Sequence, residues 1–208
     1  MSLGKSPESR TSEGQSLQNG VDGQKRILVV DDDPQVRKIM GIFLGAYEYE
    51  VVLGKGLKEG RQLLNQSYKL QRPFDLLMFD GYLISREPKE MTLENLDGAK
   101  LARQAMAQAF ALQRKNPDPN RLLPVVVSLS GSEHVTTEQG KSYLKESGFV
   151  MALQKPFDLD DIDLLATNLN LMRRANINDS LPSDVIKLFS TWPRKWVVLA
   201  KDEPQKVA

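Results

Sequence analysis

The chain has 208 residues, and its 28 Lys and Arg nearly balance its 27 Asp and Glu, so the formal net charge is +1. This balance gives no electrostatic reason to expect direct binding to nucleic acid or to an anionic membrane. The lack of Cys and the single His, His134, exclude disulfides, thiolate metal sites and mechanisms that need two histidines.

No apolar run approaches the roughly 20 residues of a membrane span, and the first residues lack the apolar stretch of a signal peptide. We therefore expect a cytoplasmic protein. Residues 1–24 are rich in Ser, Gly and Gln. They contain too little apolar surface to offset the entropy cost of ordering, so we predict a disordered tail.

Order should begin at residues 26–30, RILVV, because a short β-branched apolar run is typical of a strand buried on both faces. Asp33 followed by Pro34 predicts the N-cap and the first residue of a helix. Gly45 should end this helix. Its apolar stripe is predicted from residues at helical spacing, namely Val36, Ile39, Met40, Phe43 and Leu44.

The alternation of strands and helices continues along the chain. Further strands are predicted at residues 50–54, 74–80, 122–130 and 149–154. Further helices are predicted at residues 57–68, 97–115, 136–147 and 158–175. Five strand–helix units in succession predict an α/β fold with a parallel sheet covered by helices on both faces.

Two segments lie outside these five units. Residues 81–96 are a polar connection, predicted as a surface loop, although loops beside active sites often carry function. Residues 176–208 form a C-terminal extension with a short capped helix and a candidate strand, KWVVLA. Trp192 and Trp196 in this extension either hold it against the domain or form a partner surface.

Polar residues follow four of the predicted strands. They are Asp31, Asp32 and Asp33 after the first strand, Asp80 at the end of the third, Ser130 at the end of the fourth and Lys155 after the fifth. The carboxyl ends of parallel strands meet at one edge of a sheet, where such folds place their sites. Crowded carboxylates need a cation, and Mg²⁺ prefers oxygen ligands of this kind. A carboxylate is also a nucleophile toward phosphorus, so the set predicts phosphoryl transfer onto an aspartate.

The motifs ILVVDDDP, FDLLMFD, LDGAKLA, PVVVSLSG and LQKPFD occur in this order on the predicted elements. Over residues 25–175 the chain thereby resembles the receiver domain of two-component response regulators. The resemblance implies a doubly wound, flavodoxin-like receiver fold with five parallel strands in the order 2-1-3-4-5. It divides the chain into the tail 1–24, the receiver domain 25–175 with its inserted loop 81–96, and the extension 176–208.

The resemblance also implies a role for each residue of the site. Asp80 matches the phosphoacceptor, Asp31 and Asp32 match the acidic pair that organises Mg²⁺, and the backbone carbonyl of Tyr82 matches a further metal ligand. Asp32 is the expected direct ligand of the pair, and Asp80 itself is also expected to bind the metal.

Two more positions match residues that meet the phosphoryl group. Ser130 matches the hydroxyl that contacts this group on activation, and Lys155 matches the lysine that contacts the phosphate. Pro156 matches a proline that is usually preceded by a cis peptide bond. Asp33 matches no such role and is assigned to the helix cap.

The sequence departs from the family pattern in two places. Asp80 and Asp97 are 17 residues apart, which is longer than the family's spacing, and Ile84 stands where the family has a proline. Ala152 stands where the family has an aromatic residue that moves on activation. We expect that this movement is lost or is taken over by another side chain such as Phe149.

We therefore predict a receiver that accepts a phosphoryl group on Asp80 from a sensor histidine kinase or a phosphotransfer protein, with Mg²⁺. It should signal through contacts with a downstream protein, without binding nucleic acid or membrane and without being an enzyme; a homodimer is left open. No DNA-binding output domain is recognisable in residues 176–208, and His134 is expected to be an exposed loop residue.

The alternative is a receiver-like scaffold that binds partners through the inserted loop or the extension without phosphorylation. A small phosphatase is disfavoured, because Tyr82 stands where such enzymes need a second acid.

Overall fold

A computed structural model of the chain describes residues 24–83, 92–118, 122–131, 133–175, 180–181, 183–191, 195–199 and 201–202. Three predictions fall on other residues: the tail 1–24 apart from Gln24, the loop residues around Ile84, and the packing of Trp192. The side chain of His134 likewise lies outside what the structure describes. Among the described helices, none is long and apolar enough to cross a lipid bilayer.

The chain alternates strands and helices as the sequence predicts. The strands are β1 (Arg26–Val30), β2 (Glu50–Gly54), β3 (Leu76–Asp80), β4 (Val125–Ser130), β5 (Met151–Gln154), β6 (Ser180–Leu181), β7 (Trp196–Val198) and β8 (Lys201–Asp202). The α-helices are α1 (Pro34–Gly45), α2 (Leu57–Lys69), α3 (Asp97–Lys115), α4 (Glu138–Glu146), α5 (Leu159–Ala175) and α6 (Ser183–Thr191). Short 3₁₀ helices lie at Leu93–Asn95 and Glu133–Thr136.

The main sheet has six strands in the order β2-β1-β3-β4-β5-β7, and β6 pairs with β8 separately. Its first five strands are parallel, which confirms the predicted order 2-1-3-4-5. The sheet is nevertheless larger than the five strands predicted, because β7 from the C-terminal extension pairs antiparallel with β5. This strand covers the edge that a five-stranded sheet would leave open.

The core occupies both faces of the sheet. Alternate residues of β1 enter two separate apolar clusters, as the period of a strand requires. On one face α1, α5 and α6 contribute buried side chains such as Met40, Leu165 and Phe189. On the other face α2, α3 and α4 contribute side chains such as Leu64 and Leu101. Helices on both faces are the expected arrangement for a parallel sheet.

Several predicted bounds and one predicted core residue are corrected by the structure. Strands β3, β4 and β5 begin two or three residues later than predicted. Phe74 and Phe149 are buried against the core but lie just before the hydrogen-bonded parts of β3 and β5. Because they are apolar, the sequence pattern included them in the predicted strands. The helix α4 begins only after Thr137, whose hydroxyl caps it by accepting a hydrogen bond from the Gly140 N–H at 3.1 Å. Ile39, predicted for the core, is 46% exposed, because α1 buries a narrower stripe than the sequence pattern covers.

The C-terminal extension packs onto the domain. Val185 and Phe189 of α6 are fully buried in the cluster that also contains residues of α5. The Trp196 ring meets the Phe189 ring edge-on, with 5.0 Å between centroids. The Leu199 N–H donates a hydrogen bond to the Val150 carbonyl at 2.9 Å, next to the β5–β7 pairing. Trp196 therefore holds the extension against the domain, which is the first of its two predicted roles.

Candidate functional site

The carboxyl ends of β1, β3 and β5 bring the predicted charged residues together. Lys155 follows β5, and its Nζ lies 2.7 Å from Asp31 Oδ2 and 3.2 Å from Asp80 Oδ1. Asp31 is fully buried, and the side chain of Asp80 is 13% exposed. One ammonium thus bridges two carboxylates that are 49 residues apart in the sequence.

A third carboxylate completes an acidic cluster. Asp31, Asp32 and Asp80 each offer one carboxylate oxygen, and these oxygens lie within 4.8 Å of one another. Asp32 is exposed, whereas the other two lie in the floor of the site. Three carboxylates against one lysine leave an excess of negative charge, and this donor set fits Mg²⁺.

The electrostatics of Asp80 reflect this excess. Burial raises the pKa of Asp80 to about 7, and the attraction of Lys155 is opposed by the charges of Asp31 and Asp32. For Lys155, burial lowers the pKa, but Asp80 and Asp31 more than offset this and hold it above its ordinary value. A bound cation would favour the ionised form of Asp80, which supports the fit of these residues to a metal ion.

The loop after β1 is held in place by hydrogen bonds. The Asp33 N–H donates to Asp31 Oδ1 at 2.9 Å, and Asp33 Oδ1 accepts from the Gln35 N–H at 2.7 Å. The second bond confirms Asp33 as the N-cap of α1. Arg37 Nη1 donates to the carbonyls of Asp31 and Asp32 at 2.7 and 2.8 Å. Sequence reasoning missed Arg37, although its position within the first two turns after the acidic residues was a usable signal.

Ser130 is the last residue of β4, the strand that pairs with β3, which ends in Asp80. It is 3% exposed, and its Oγ is 3.7 Å from the point where a Cβ on Gly81 would lie. Its carbonyl accepts a hydrogen bond from the Lys155 N–H at 2.8 Å. The peptide bond between Lys155 and Pro156 is cis, as the resemblance implies.

The long connection between β3 and α3 returns to the site despite its extra residues. The Gly98 N–H donates to the Gly81 carbonyl at 3.2 Å, and a Cβ on Gly98 would lie only 2.4 Å from the Asp80 carbonyl oxygen. Only glycine permits this approach of α3 to β3. Asp97, fully buried, is 3.1 Å from Lys100 Nζ and therefore faces its own helix rather than forming part of the acidic cluster.

The side chain of Tyr82 is 9% exposed, and its hydroxyl donates to the Thr92 carbonyl at 3.1 Å. The ring thus joins the two described ends of the connection, and the role of its backbone carbonyl as a metal ligand stays a prediction. Ala152 is fully buried within β5, opposite Ser128 and Val197 of the neighbouring strands. Phe149 lies beyond the amino end of β5, away from Ser130, so its position does not favour a role as the replacement for the missing aromatic ring.

The sequence similarity of the chain to known proteins is weak, whereas its similarity in fold is clear. No protein-family model matches the chain. It is 30% identical over 69 residues to the transcriptional regulatory protein AruR of Pseudomonas aeruginosa, a match that covers 33% of this chain and 28% of that protein.

Two solved structures resemble the chain over most of their own length. One is a two-component response regulator from Clostridium difficile, with a TM-score of 0.50, 17% identity, and coverage of 74% of this chain and 99% of that one. The other comes from the co-crystal structure of the Saccharomyces cerevisiae histidine phosphotransfer signaling protein Ypd1 with the receiver domain of its downstream response regulator Ssk1. This match has a TM-score of 0.51 and 19% identity, and it covers 74% of this chain and 94% of that one. The chain thus has the flavodoxin-like fold of response regulator receiver domains.

Proposed function

We propose that the chain is a phosphorylatable receiver, which takes a phosphoryl group onto Asp80 from a phosphohistidine of a partner protein and signals through protein–protein contacts in the cytoplasm. The observation that carries this proposal is the arrangement of Asp80, Asp31 and Asp32 with Lys155 Nζ between two of them. The receiver fold adds support, since it places the site at the carboxyl edge of the sheet.

In the proposed reaction a carboxylate oxygen of Asp80 attacks the phosphorus of the donor. A new P–O bond forms while the P–N bond to the donor imidazole breaks, and the imidazole nitrogen keeps the electron pair and takes up a proton. Asp31, Asp32 and Asp80, with the Tyr82 carbonyl, would hold Mg²⁺, which neutralises charge on the phosphoryl oxygens when it is bound. The chain acts here as a stoichiometric acceptor and not as an enzyme with turnover.

In this proposal Lys155 and Ser130 contact the new phosphoryl group. The Lys155 ammonium already lies 3.2 Å from the Asp80 carboxylate, so it can pair with a phosphoryl oxygen attached there. Ser130 lies beside Gly81, the residue directly after the acceptor, and in this proposal its hydroxyl would contact the same group. Positioned charges and donors of this kind stabilise transferred phosphoryl groups without any covalent role.

The surface of α1 next to the site is suited to a docking donor. Ile42 is 67% exposed and Ile39 is 46% exposed. Together with Pro34, Gln35 and Lys38 they line a shallow groove on the helix that begins just after the acidic residues. Apolar residues exposed in a group mark binding surfaces. We propose that this groove binds the helices of a histidine phosphotransfer protein or of a kinase's histidine-bearing domain; the solved complex of Ypd1 with the Ssk1 receiver is one such pairing.

Acetyl phosphate with Mg²⁺ tests the acceptor directly. Radiolabelled acetyl phosphate should label the wild-type protein, and Asp80→Asn should abolish the label. Asp33→Asn is the matched control, because it removes a nearby charge while an asparagine keeps the helix cap, so labelling should persist. Acid-stable label remaining on Asp80→Asn would refute the assignment.

Beryllofluoride distinguishes the receiver from the scaffold alternative. In the presence of millimolar Mg²⁺ it should change the Trp fluorescence or the melting temperature of the wild-type protein. No response of either signal would favour a scaffold that binds partners without phosphorylation. The phosphatase alternative is further disfavoured, because Tyr82 is buried and its hydroxyl is engaged with the Thr92 carbonyl.

A further inference from the structure

The turn that carries Lys155 is anchored at both ends by one residue of the C-terminal extension. This turn runs from Gln154, at the end of β5, to Asp161, in the first turn of α5. Lys195, just before β7, contacts the first residue of the turn through its backbone and the last residues through its side chain. No residue of the extension reaches the carboxylates themselves among the described contacts.

The first anchor is a backbone hydrogen bond. The Gln154 N–H donates to the Lys195 carbonyl at 2.8 Å, which continues the antiparallel pairing of Leu153 with Trp196. Trp196 is buried against Phe189, so the strand that supplies this carbonyl is fixed to the core. The residue directly after Gln154 is Lys155, and the end of β5 therefore sets where the site lysine begins.

The second anchor is an ion pair across the start of α5. Lys195 Nζ lies 3.0 Å from Asp158 Oδ2 and 3.5 Å from Asp161 Oδ2. These two aspartates also form reciprocal hydrogen bonds across the turn. The Asp158 N–H donates to Asp161 Oδ2 at 3.0 Å, and the Asp161 N–H donates to Asp158 Oδ1 at 3.2 Å. Asp161 is 1% exposed, so this end of the turn is held firmly.

We infer that Lys195 is a positioning residue for the phosphoryl site, which fixes the turn from Gln154 to Asp161 so that the Lys155 ammonium stays between Asp31 and Asp80. The role of Lys195 rests on the proposed function, since Lys155 acts there on the phosphoryl group. It extends that function to the C-terminal extension, which then contributes to phosphorylation without touching the reacting atoms. Small displacements of a positioned charge are known to weaken catalysis strongly.

The test separates metal binding from phosphoryl binding. Asp31, Asp32 and Asp80 do not belong to the turn from Gln154 to Asp161. The Mg²⁺ affinity of Lys195→Met, measured by fluorescence or calorimetry, should therefore equal that of the wild type. The beryllofluoride concentration for half-maximal response, at saturating Mg²⁺, should rise about three- to tenfold because Lys155 is less well placed. The melting temperature should change little, since partly exposed ion pairs contribute little to stability. Lys187→Met, which removes an exposed lysine of α6 in the same extension, should leave every one of these values unchanged.

A second variant tests the same contact from its other side. Asp158→Asn keeps the capping oxygen but removes the charge, so it should raise the half-maximal beryllofluoride concentration in the same direction. Adding it to Lys195→Met should produce no further rise, because Lys195→Met has already removed the ion pair that Asp158→Asn weakens. If the wild type responds to beryllofluoride and Lys195→Met responds equally well, or loses Mg²⁺ affinity in parallel, the positioning role is refuted while the proposed function stands. If the wild type itself fails to respond, the proposed function and this role both fall.

Discussion

The two edges of the sheet carry charged groups in opposite ways. At the amino edge Glu50 and Asp75 are each paired with a guanidinium. Arg26 Nε lies 2.8 Å and Arg72 Nη2 lies 2.6 Å from the Glu50 carboxylate, and Arg173 Nη2 lies 2.6 Å from Asp75 Oδ1. At the carboxyl edge three carboxylates lie together, and one lysine pairs with two of them.

The pKa values follow this difference in charge balance. Burial raises the pKa of Glu50, but its two arginines more than offset this, so the pKa lies below its ordinary value. The pKa of Asp80 is raised to about 7, because burial and repulsion from Asp31 and Asp32 exceed the attraction of Lys155. The amino edge therefore stabilises the fold, whereas the carboxyl edge holds unbalanced negative charge, which a bound cation would offset.

The largest effect should come from Asp80→Asn at high pH. The pKa of Asp80 is about 7 in the folded chain against 3.8 ordinarily, so between these values the folded state binds more protons than the unfolded state. Stability then falls as pH rises from about 4 to 7, and the penalty is full above 7. Asp80→Asn should thus raise the free energy of unfolding at pH 8 by about 2–4 kcal/mol in metal-free buffer, and by almost nothing at pH 4.

Urea unfolding at the two pH values, with a chelator present, measures this difference. Asp160→Asn, which removes an exposed carboxylate of α5, is the control and should change stability little at either pH. Adding millimolar Mg²⁺ at pH 8 should stabilise the wild type more than Asp80→Asn. Equal stabilisation of both by the metal, or a destabilised Asp80→Asn at pH 8, would contradict the contrast between the edges.

The next effect concerns the close approach of α3 to the carboxyl edge. A Cβ on Gly98 would lie 2.4 Å from the Asp80 carbonyl oxygen, so Gly98→Ala forces helix or strand to move. We expect a loss of about 1–3 kcal/mol of stability, together with weaker labelling by acetyl phosphate. In Gly45→Ala the new methyl group would meet nothing within 4 Å, so this control should be neutral or slightly stabilising. Wild-type stability and labelling in Gly98→Ala would show that the approach is not required.

The amino edge should respond in the ordinary way to the loss of a partner. Arg173→Met leaves the Asp75 carboxylate, 17% exposed, without its ion pair. We expect a loss of about 1–2 kcal/mol at pH 7, because this largely buried carboxylate keeps its hydrogen bond from the Arg26 N–H, at 2.7 Å, but loses its charged partner. Urea unfolding measures this loss, with Arg61→Met, an exposed arginine of α2, as the neutral control. A stabilised Arg173→Met would mean that the desolvation cost of this ion pair exceeds its attraction.

The residues that form the carboxyl edge could be predicted from the sequence, but the pKa of Asp80 at this edge could not. Asp31, Asp80, Ser130 and Lys155 could be assigned to one place because each follows a buried parallel strand, and strand direction alone brings those ends together. The raised pKa of Asp80 could not be predicted, because it depends on burial and on distances to charges that are remote in sequence.

The C-terminal extension shows where sequence patterns lose their power. The segment KWVVLA predicts a strand, but an edge strand can pair in either direction and at either side of a sheet. The contact of Lys195 with Asp158 follows only from the antiparallel register with β5, which the pattern does not contain. Ile39 likewise matched the helical stripe of α1, yet its burial depended on neighbours that the tertiary structure does not supply.

The smallest effect should come from the exposed rim of the amino edge, where Arg72 pairs with Glu50. The Arg72 side chain is 61% exposed, so its ion pair is weakened by solvent and salt. Arg72→Met should lower stability at pH 7 by about 0.5 kcal/mol or less. Because the pKa of Glu50 is lowered in the folded chain, its contribution is present above its ordinary pKa of 4.5 and disappears as pH falls through the folded value. The difference between Arg72→Met and wild type should therefore shrink as pH falls below the ordinary pKa of Glu50. The Asp80→Asn difference also disappears at low pH, but it has the opposite sign, because that variant is more stable than the wild type at high pH. If the Arg72→Met deficit instead persisted unchanged at low pH, the arginine would act by packing its stem and not by its charge, and the charge compensation of Glu50 would rest on Arg26 alone.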